Sequence, residues 1–201
     1  MLASMSVDDT PSTGTETGPL PAPRLSRGRL TLRPTRPEDC AFVLAVERDP
    51  DNARHVGQWP AARHRACIDS PGWVHAIVEE AGVPVGYLVL QDADDPDGNL
   101  LLRRIAMARK GGGRGRAALI LVMRYCFEVL GFHRLWLYVA EHNKRALRLY
   151  LGLGFVMEGT ARECAAEGER RYSMHILSLL EREYRLQLAT SRHRRGAGRG
   201  A

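Results

Sequence analysis

The chain has 201 residues, 44% hydrophobic and 26% charged, with a formal net charge of +6; that is room for one domain with a sizeable core and an ordinary globular composition. No segment approaches the ~18 consecutive apolar residues of a membrane helix, and no apolar run of secretory length follows a charged start, so a cytoplasmic protein without a membrane partner is expected. Cys40, Cys67, Cys126 and Cys164 form no C-x-x-C pair and the seven histidines no H-x-x-x-H spacing, so reduced thiols and no metal are expected.

Residues 1–24 are rich in Ser, Thr, Pro and Gly with almost no apolar periodicity and read as a disordered leader; residues 191–201, with four arginines, read as a basic disordered tail. The charge of 25–190 is then only +4, which suits an anionic ligand and makes nucleic-acid binding unlikely. "RLTLRP" (29–34) alternates as a strand, and Pro37, Glu38 and Asp39 open a helix. "GQWPAARHRACI" (57–68) is a second helical piece. The run 73–92 predicts a hairpin around Ala81-Gly82-Val83-Pro84, and "LLLRRIAMA" (100–108) a third, apolar strand. A mostly buried helix is expected from Arg116 to its stop at Gly131, then a strand over 133–140 with Leu135, Leu137 and Val139 on one face and Trp136 and Tyr138 on the other. Asn143 caps a short helix ending at Gly152. Two strands joined through Ala166, Glu167 and Gly168 close the chain.

"ARKGGGRGRAAL" (108–119) lies between an apolar strand and a buried helix, where a slack joint would prevent packing, so a linker is a poor reading. A strand, a glycine turn and a helix start instead aim successive amides and the positive end of the helix dipole at one point, which suits phosphate. Gly115 is followed by Arg116 and Ala117, leaving no hydroxyl for the magnesium of a nucleoside triphosphate. Gly113-x-Gly115-x-x-Ala118 satisfies the dinucleotide fingerprint, with Glu141 as a ribose acid, but the hairpins before and after it are not repeated βαβ units.

From about Arg29 to Leu180 the chain resembles the GNAT superfamily of N-acetyltransferases, on Lys110-x-x-Gly113-x-Gly115 and on "VAEHNKRALRLYLGLGF". Lys110 stands where the family usually has Arg or Gln. The resemblance implies an α/β (α+β) fold: a mixed, mostly antiparallel sheet of about seven strands, splayed in the middle and flanked by about four helices. It implies acetyl-CoA as co-substrate, with pantetheine along Ile105, Ala106 and Met107 and pyrophosphate on Gly111, Gly112, Gly113, Arg114, Gly115 and Arg116. Asn143 would bond the pantetheine arm, and Tyr150, two turns further on, would face the sulfur as general acid.

Many relatives carry a carboxylate base on the cofactor strand or the next one; the matching positions here are Leu101 and Tyr138. Glu141 and His142 are the nearest substitutes, with Glu141 the expected catalytic partner of Tyr150. Without a strong base, deprotonating a lysine at pH 7 costs about 4.6 kcal/mol but an α-amine only about 1 to 1.4, so a protein N-terminus or small amino compound is the expected acceptor. A catalytically weak acyl-CoA sensor or interaction module is the competing reading. The acceptor wall is expected from residues 50–75 and the last hairpin, in a monomer or homodimer.

Overall fold

The computed structural model describes residues 20–197, with side chains to 190. In chain order its elements are β1 (Leu25–Arg27), β2 (Leu30–Pro34), α1 (Cys40–Arg48), α2 (Pro50–Ala53), α3 (Ala61–Asp69), β3 (Trp73–Glu80), β4 (Val83–Gln91) and β5 (Asn99–Met107). Then come α4 (Arg114–Arg124), β6 (Arg134–Ala140), α5 (Lys144–Leu151), β7 (Val156–Glu167), β8 (Arg170–Leu180) and α6 (Glu181–Ala197). A single 3-10 turn, Pro37–Asp39, leads into α1.

The strands form one sheet in the order β1-β2-β3-β4-β5-β6-β8-β7, with β5 and β6 as its parallel pair. The larger core, including Leu32, Leu88, Leu100, Leu119, Leu135 and Leu177, joins one face of the sheet to α4, α5 and the start of α6. A smaller one, around Val43, Val46, Trp59, Ile77, Tyr87 and Val89, joins the other face to α1 and α3. Strand alternation is what splits the side chains between these layers.

The sheet has eight strands rather than seven: β1 is three residues long, too short for a periodic signal, and pairs with β2 across a turn holding Gly28 at φ 59°. The hairpin between β3 and β4 turns at Ala81 and Gly82, both at positive φ, so Val83 and Pro84 already belong to β4. The last hairpin turns at Gly168 and Glu169 rather than at 166–168. The helix after the glycines begins at Arg114 and widens to a π turn over Tyr125–Val129 before Gly131, at φ 68°, ends it.

The helices number six among the described residues, where four were expected. α2 is a single turn, and α6 starts where Leu180 N–H meets the Glu183 carboxylate at 2.9 Å and Tyr184 stacks on Phe127 at 5.0 Å. That anchor lets α6 run on to Ala197 despite weak periodicity, so the expected tail boundary at 191 falls inside it. Leu20 already packs on the core, and the Tyr125 hydroxyl donates to the Pro21 carbonyl at 2.7 Å. Residues 1–19 and 198–201 lie outside the described residues. Cys40, Cys67 and Cys126 are buried and Cys164 is exposed, all as free thiols. No helix among the described residues is long and apolar enough to cross a membrane.

Candidate active site

The sheet forks. β5 and β6 pair only at Asn99, Leu100 and Leu101 with Arg134, Leu135 and Trp136; beyond that point β5 stays with β4 up to Met107 and β6 with β8 up to Ala140. Ala108 N–H donates to the Val85 carbonyl at 2.8 Å. Antiparallel alternation therefore directs the polar backbone of Ala106 at β4 and that of Ile105 and Met107 into the fork. Of the three residues expected along pantetheine, two present free backbone. One group there is shared: Asn52 Nδ2 donates to the Met107 carbonyl at 3.2 Å and to the Val46 carbonyl at 2.9 Å.

At the end of β5, Gly111, Gly112 and Gly113 take φ values of 83°, 59° and 72°, a left-handed succession that side chains resist. The first helical bond of α4 runs from Ala117 N–H to the Gly113 carbonyl at 2.9 Å, so the Gly115 and Arg116 amides lie ahead of it without intrahelical acceptors. A Cβ at Gly111 or Gly113 would meet nothing within 4 Å. The turn is an open concavity whose amides and helix dipole fit a diphosphate.

Three of the side-chain cations around it have partners in the protein. Arg114 pairs with Glu80 at 2.8 Å, Lys110 with Asp49 at 2.8 Å, and Arg116 Nη1 donates to the Gly152 carbonyl at 3.1 Å. The cradle thus offers backbone, while Glu80 offsets the expected Arg114 charge. The Arg116 bond fixes α5 beside the cradle, as does Leu149, whose Cδ2 would lie 3.7 Å from a Cβ at Gly115.

On α5, Asn143 Oδ1 accepts from Ala146 N–H at 3.1 Å, the expected cap, while its amide nitrogen has no partner among the described residues. Tyr150 is 7% exposed, and burial pushes its phenol up to about 12. Its ring lies 5.8 Å from Phe155, and its hydroxyl makes no hydrogen bond among the described residues. Glu141 is tied to β8: its carboxylate accepts from Ser173 N–H at 3.0 Å and its own N–H donates to the Ser173 carbonyl at 3.0 Å. His142 is flanked by His55 at 5.7 Å and Tyr172 at 5.0 Å, its Nδ1 buried without a partner. Burial, then the neighbouring His142, holds His55 below its ordinary value, so it is neutral at pH 7.

The α1–α3 face holds a buried polar cluster that no motif announces. Glu47, 1% exposed, accepts from the Tyr87 hydroxyl, from Arg104 Nη1 at 2.9 Å and from Trp59 N–H at 2.9 Å. His64 Nδ1 is hydrogen bonded to His75 Nε2 at 3.0 Å, and His75 Nδ1 to the Thr35 hydroxyl at 2.8 Å. These residues are scattered over 69 positions without a motif, so only tertiary packing joins them. Among the described residues no three His, Cys, Asp or Glu side chains converge as a metal site.

A sheet forked past one short parallel pairing, with a glycine cradle on one limb and a capped helix on the other, is the scaffold of the GNAT fold. The chain belongs to the GNAT acetyltransferase family: residues 29–156 match the acetyltransferase (GNAT) domain. It is 32% identical over 151 residues to the mycothiol acetyltransferase of Salinispora tropica, covering 69% of this chain and 48% of that one. The Kineococcus radiotolerans mycothiol acetyltransferase is 34% identical over 146 residues, 70% of this chain and 47% of that one. The chain thus spans about half the length of these curated relatives. The spermidine N-acetyltransferase of Vibrio cholerae in complex with CoA and spermine shares the fold, with a TM-score of 0.71 at 22% identity over 78% of this chain and 98% of that one.

Proposed function

We propose that this protein transfers an acetyl group from acetyl-CoA to a primary amine of low pKa by direct attack, the acceptor being a protein N-terminus or a small amino compound. The observation that carries this reading is the left-handed glycine turn beside the fork, open at Gly111 and Gly113, with α5 fixed against it. Acetyl-CoA, when bound, supplies an activated thioester carbonyl.

The free amides in the turn from Gly111 to Arg116 hold the diphosphate, and the free backbone of Ile105 and the Met107 N–H with the Asn143 amide nitrogen orient the pantetheine arm. The Tyr150 hydroxyl donates a hydrogen bond to the departing sulfur. A phenol at about 12 facing a thiol near ~8.5 keeps its proton most of the time, so it stabilises developing charge by position and leaves net protonation of the thiolate to water. One oxygen of the Glu141 carboxylate accepts from Ser173 N–H, and the neutral His55 imidazole, stacked on His142, is a second candidate proton acceptor.

A second reading, a catalytically weak acyl-CoA binder, is favoured by Leu101 and Tyr138 standing where relatives carry carboxylates. Thiol release from acetyl-CoA across a panel of amines, with titration calorimetry of acetyl-CoA alone, separates the two. Turnover of α-amines well above lysine side chains supports the transferase, binding with no turnover the sensor, and no binding defeats both.

A further inference from the structure

We infer that the acceptor carries a carboxylate close to its amine, and that Arg103 together with Arg63 receives this carboxylate beside Trp59. The inference rests on the acetyl-transfer reading and adds the chemical class of the acceptor.

The starting point is a β-bulge. Val89 of β4 pairs with Arg104 and Leu90 with Leu102, which leaves Arg103 as an extra residue. A bulge sets two side chains against one on the partner strand and re-aims them. Arg104 packs on the α1–α3 face, where its guanidinium lies 3.9 Å from the centre of the Trp59 ring. Arg63, from α3, lies 4.2 Å from the same ring. Arg103 is half-buried and stands close enough to Arg104, Arg63 and Tyr138 to feel their charge.

Only one of the three cations is balanced. Arg104 is paired with Glu47 and also donates to the Gly57 carbonyl. Glu47 is saturated by Tyr87, Trp59 N–H and Arg104, with His64 Nε2 at 3.3 Å, and has nothing left for another guanidinium. Arg103 and Arg63 have no carboxylate within ion-pair distance among the described residues. Asp92 lies in the Arg103 field, but its own carboxyl is pushed up by burial and by Asp95 and Asp94.

A guanidinium on the surface needs no partner, but one drawn out of water beside two like charges does. Burial and then the neighbouring Arg104 and Arg63 accordingly hold Arg103 below the usual arginine range. An anion entering here is relieved of competition from protein carboxylates and can be bound through two nitrogens in one plane.

This anion is not the cofactor's. A strand rises about 3.3 Å per residue, so Arg103 stands about 13 Å before Met107, further still from the glycine cradle, and faces α3 rather than α4. Its neighbour Arg63 belongs to the stretch 50–75, which with the last hairpin is the expected acceptor wall. The same charges repel a polyamine.

The carboxylate could belong to a free amino acid or to an acidic residue following a protein N-terminus, and two substrate pairs distinguish these sources. One is Ala-Asp-amide against Ala-Asn-amide; the other is free alanine against alaninamide, compared per neutral amine. Thiol release is measured for wild type, Arg103→Gln, Arg103→Glu and Arg103→Lys, with spermidine as the cationic control. The acidic member of at least one pair is expected to have a kcat/KM about tenfold or more above its neutral partner. Arg103→Gln should abolish the preference, Arg103→Glu invert it and Arg103→Lys keep part of it, with acetyl-CoA affinity unchanged throughout.

Equal use of both members of both pairs, or a preference that survives Arg103→Glu, overturns the inference while leaving acetyl transfer standing. If no amine is turned over, binding of N-acetyl-Ala-Asp-amide and N-acetyl-Ala-Asn-amide in the presence of CoA decides. Tighter binding of the acidic peptide, lost in Arg103→Gln, supports the carboxylate subsite, and equal binding rejects it.

Discussion

Asn52 ties the last carbonyl of β5 to the helical wall opposite it, through Nδ2 at 3.2 Å from Met107 O and 2.9 Å from Val46 O. One buried amide thus sets how far α2 stands from the open limb of the fork. Asn52→Ala removes both bonds and leaves the Val46 carbonyl without its donor, for a loss of about 1 to 3 kcal/mol. Chemical denaturation should register that loss. The KM for acetyl-CoA should rise as well, since the end of β5 is no longer held. Asn52→Asp should cost more, because a buried carboxylate would face two carbonyl oxygens.

Gly113 separates folding from ligand binding. A Cβ there meets nothing within 4 Å, but the residue sits at φ 72°, so Gly113→Ala should cost about 1 to 2 kcal/mol of stability through backbone strain alone. Gly113→Asp adds a carboxylate at the N-cap of α4, which favours the helix but occupies the place proposed for the diphosphate. Its melting temperature should match or exceed that of the alanine variant while acetyl-CoA affinity falls by more than tenfold. Calorimetry on the two variants side by side checks this.

Tyr150→Phe removes a hydroxyl that has no hydrogen-bond partner among the described residues, so stability should change by less than about 0.5 kcal/mol. Under the proposed mechanism kcat should fall by about 10- to 100-fold with little change in KM. Because the folded phenol titrates near 12 and an unfolded one near ~10, this residue's contribution to stability is complete below pH 10. It declines as pH rises from 10 toward 12. Denaturation of wild type but not of Tyr150→Phe should weaken across that interval beyond the background set by other tyrosines.

The parts of the fold and site that could be read from the chain were those governed by local rules. The glycine turn, the Asn143 cap and the inward Leu135, Leu137 and Val139 follow from φ restrictions, capping and period-2 alternation, and each stands where expected. What escaped was set by tertiary partners. Arg114 reads as a free cation until Glu80, 34 residues away, meets it. The tie between the Glu141 carboxylate and Ser173 N–H appears only once β8 is brought alongside. The extra residue in β5 is invisible because "LLLRRIAM" reads equally well with or without a bulge, yet it decides which face Arg103 takes. α6 was missed because its one buried anchor, Tyr184, repays the helix only once Phe127 is beneath it.

The chain Thr35–His75–His64 gives the fold an acid limit. His75 is 5% exposed, and burial together with the neighbouring His64 lowers it to about 3, against ~6.5 in an unfolded chain. Between those values the unfolded chain binds one more proton than the folded one, so stability rises with pH across the window. The contribution is complete above pH 6.5 and is lost as pH falls toward 3, with a total on the order of 4 kcal/mol. Protonation would also turn the His75 Nε2 that meets His64 Nδ1 at 3.0 Å into an obligatory donor. His75→Gln keeps a polar group at the site but cannot titrate. Urea denaturation at intervals from pH 7 to pH 4 should therefore show a shallower decline for the variant than for wild type, even though the variant is less stable at pH 7. Parallel declines would mean that His75 takes up its proton in the folded protein as readily as in the unfolded one, and that the buried imidazole pair does not set the acid limit.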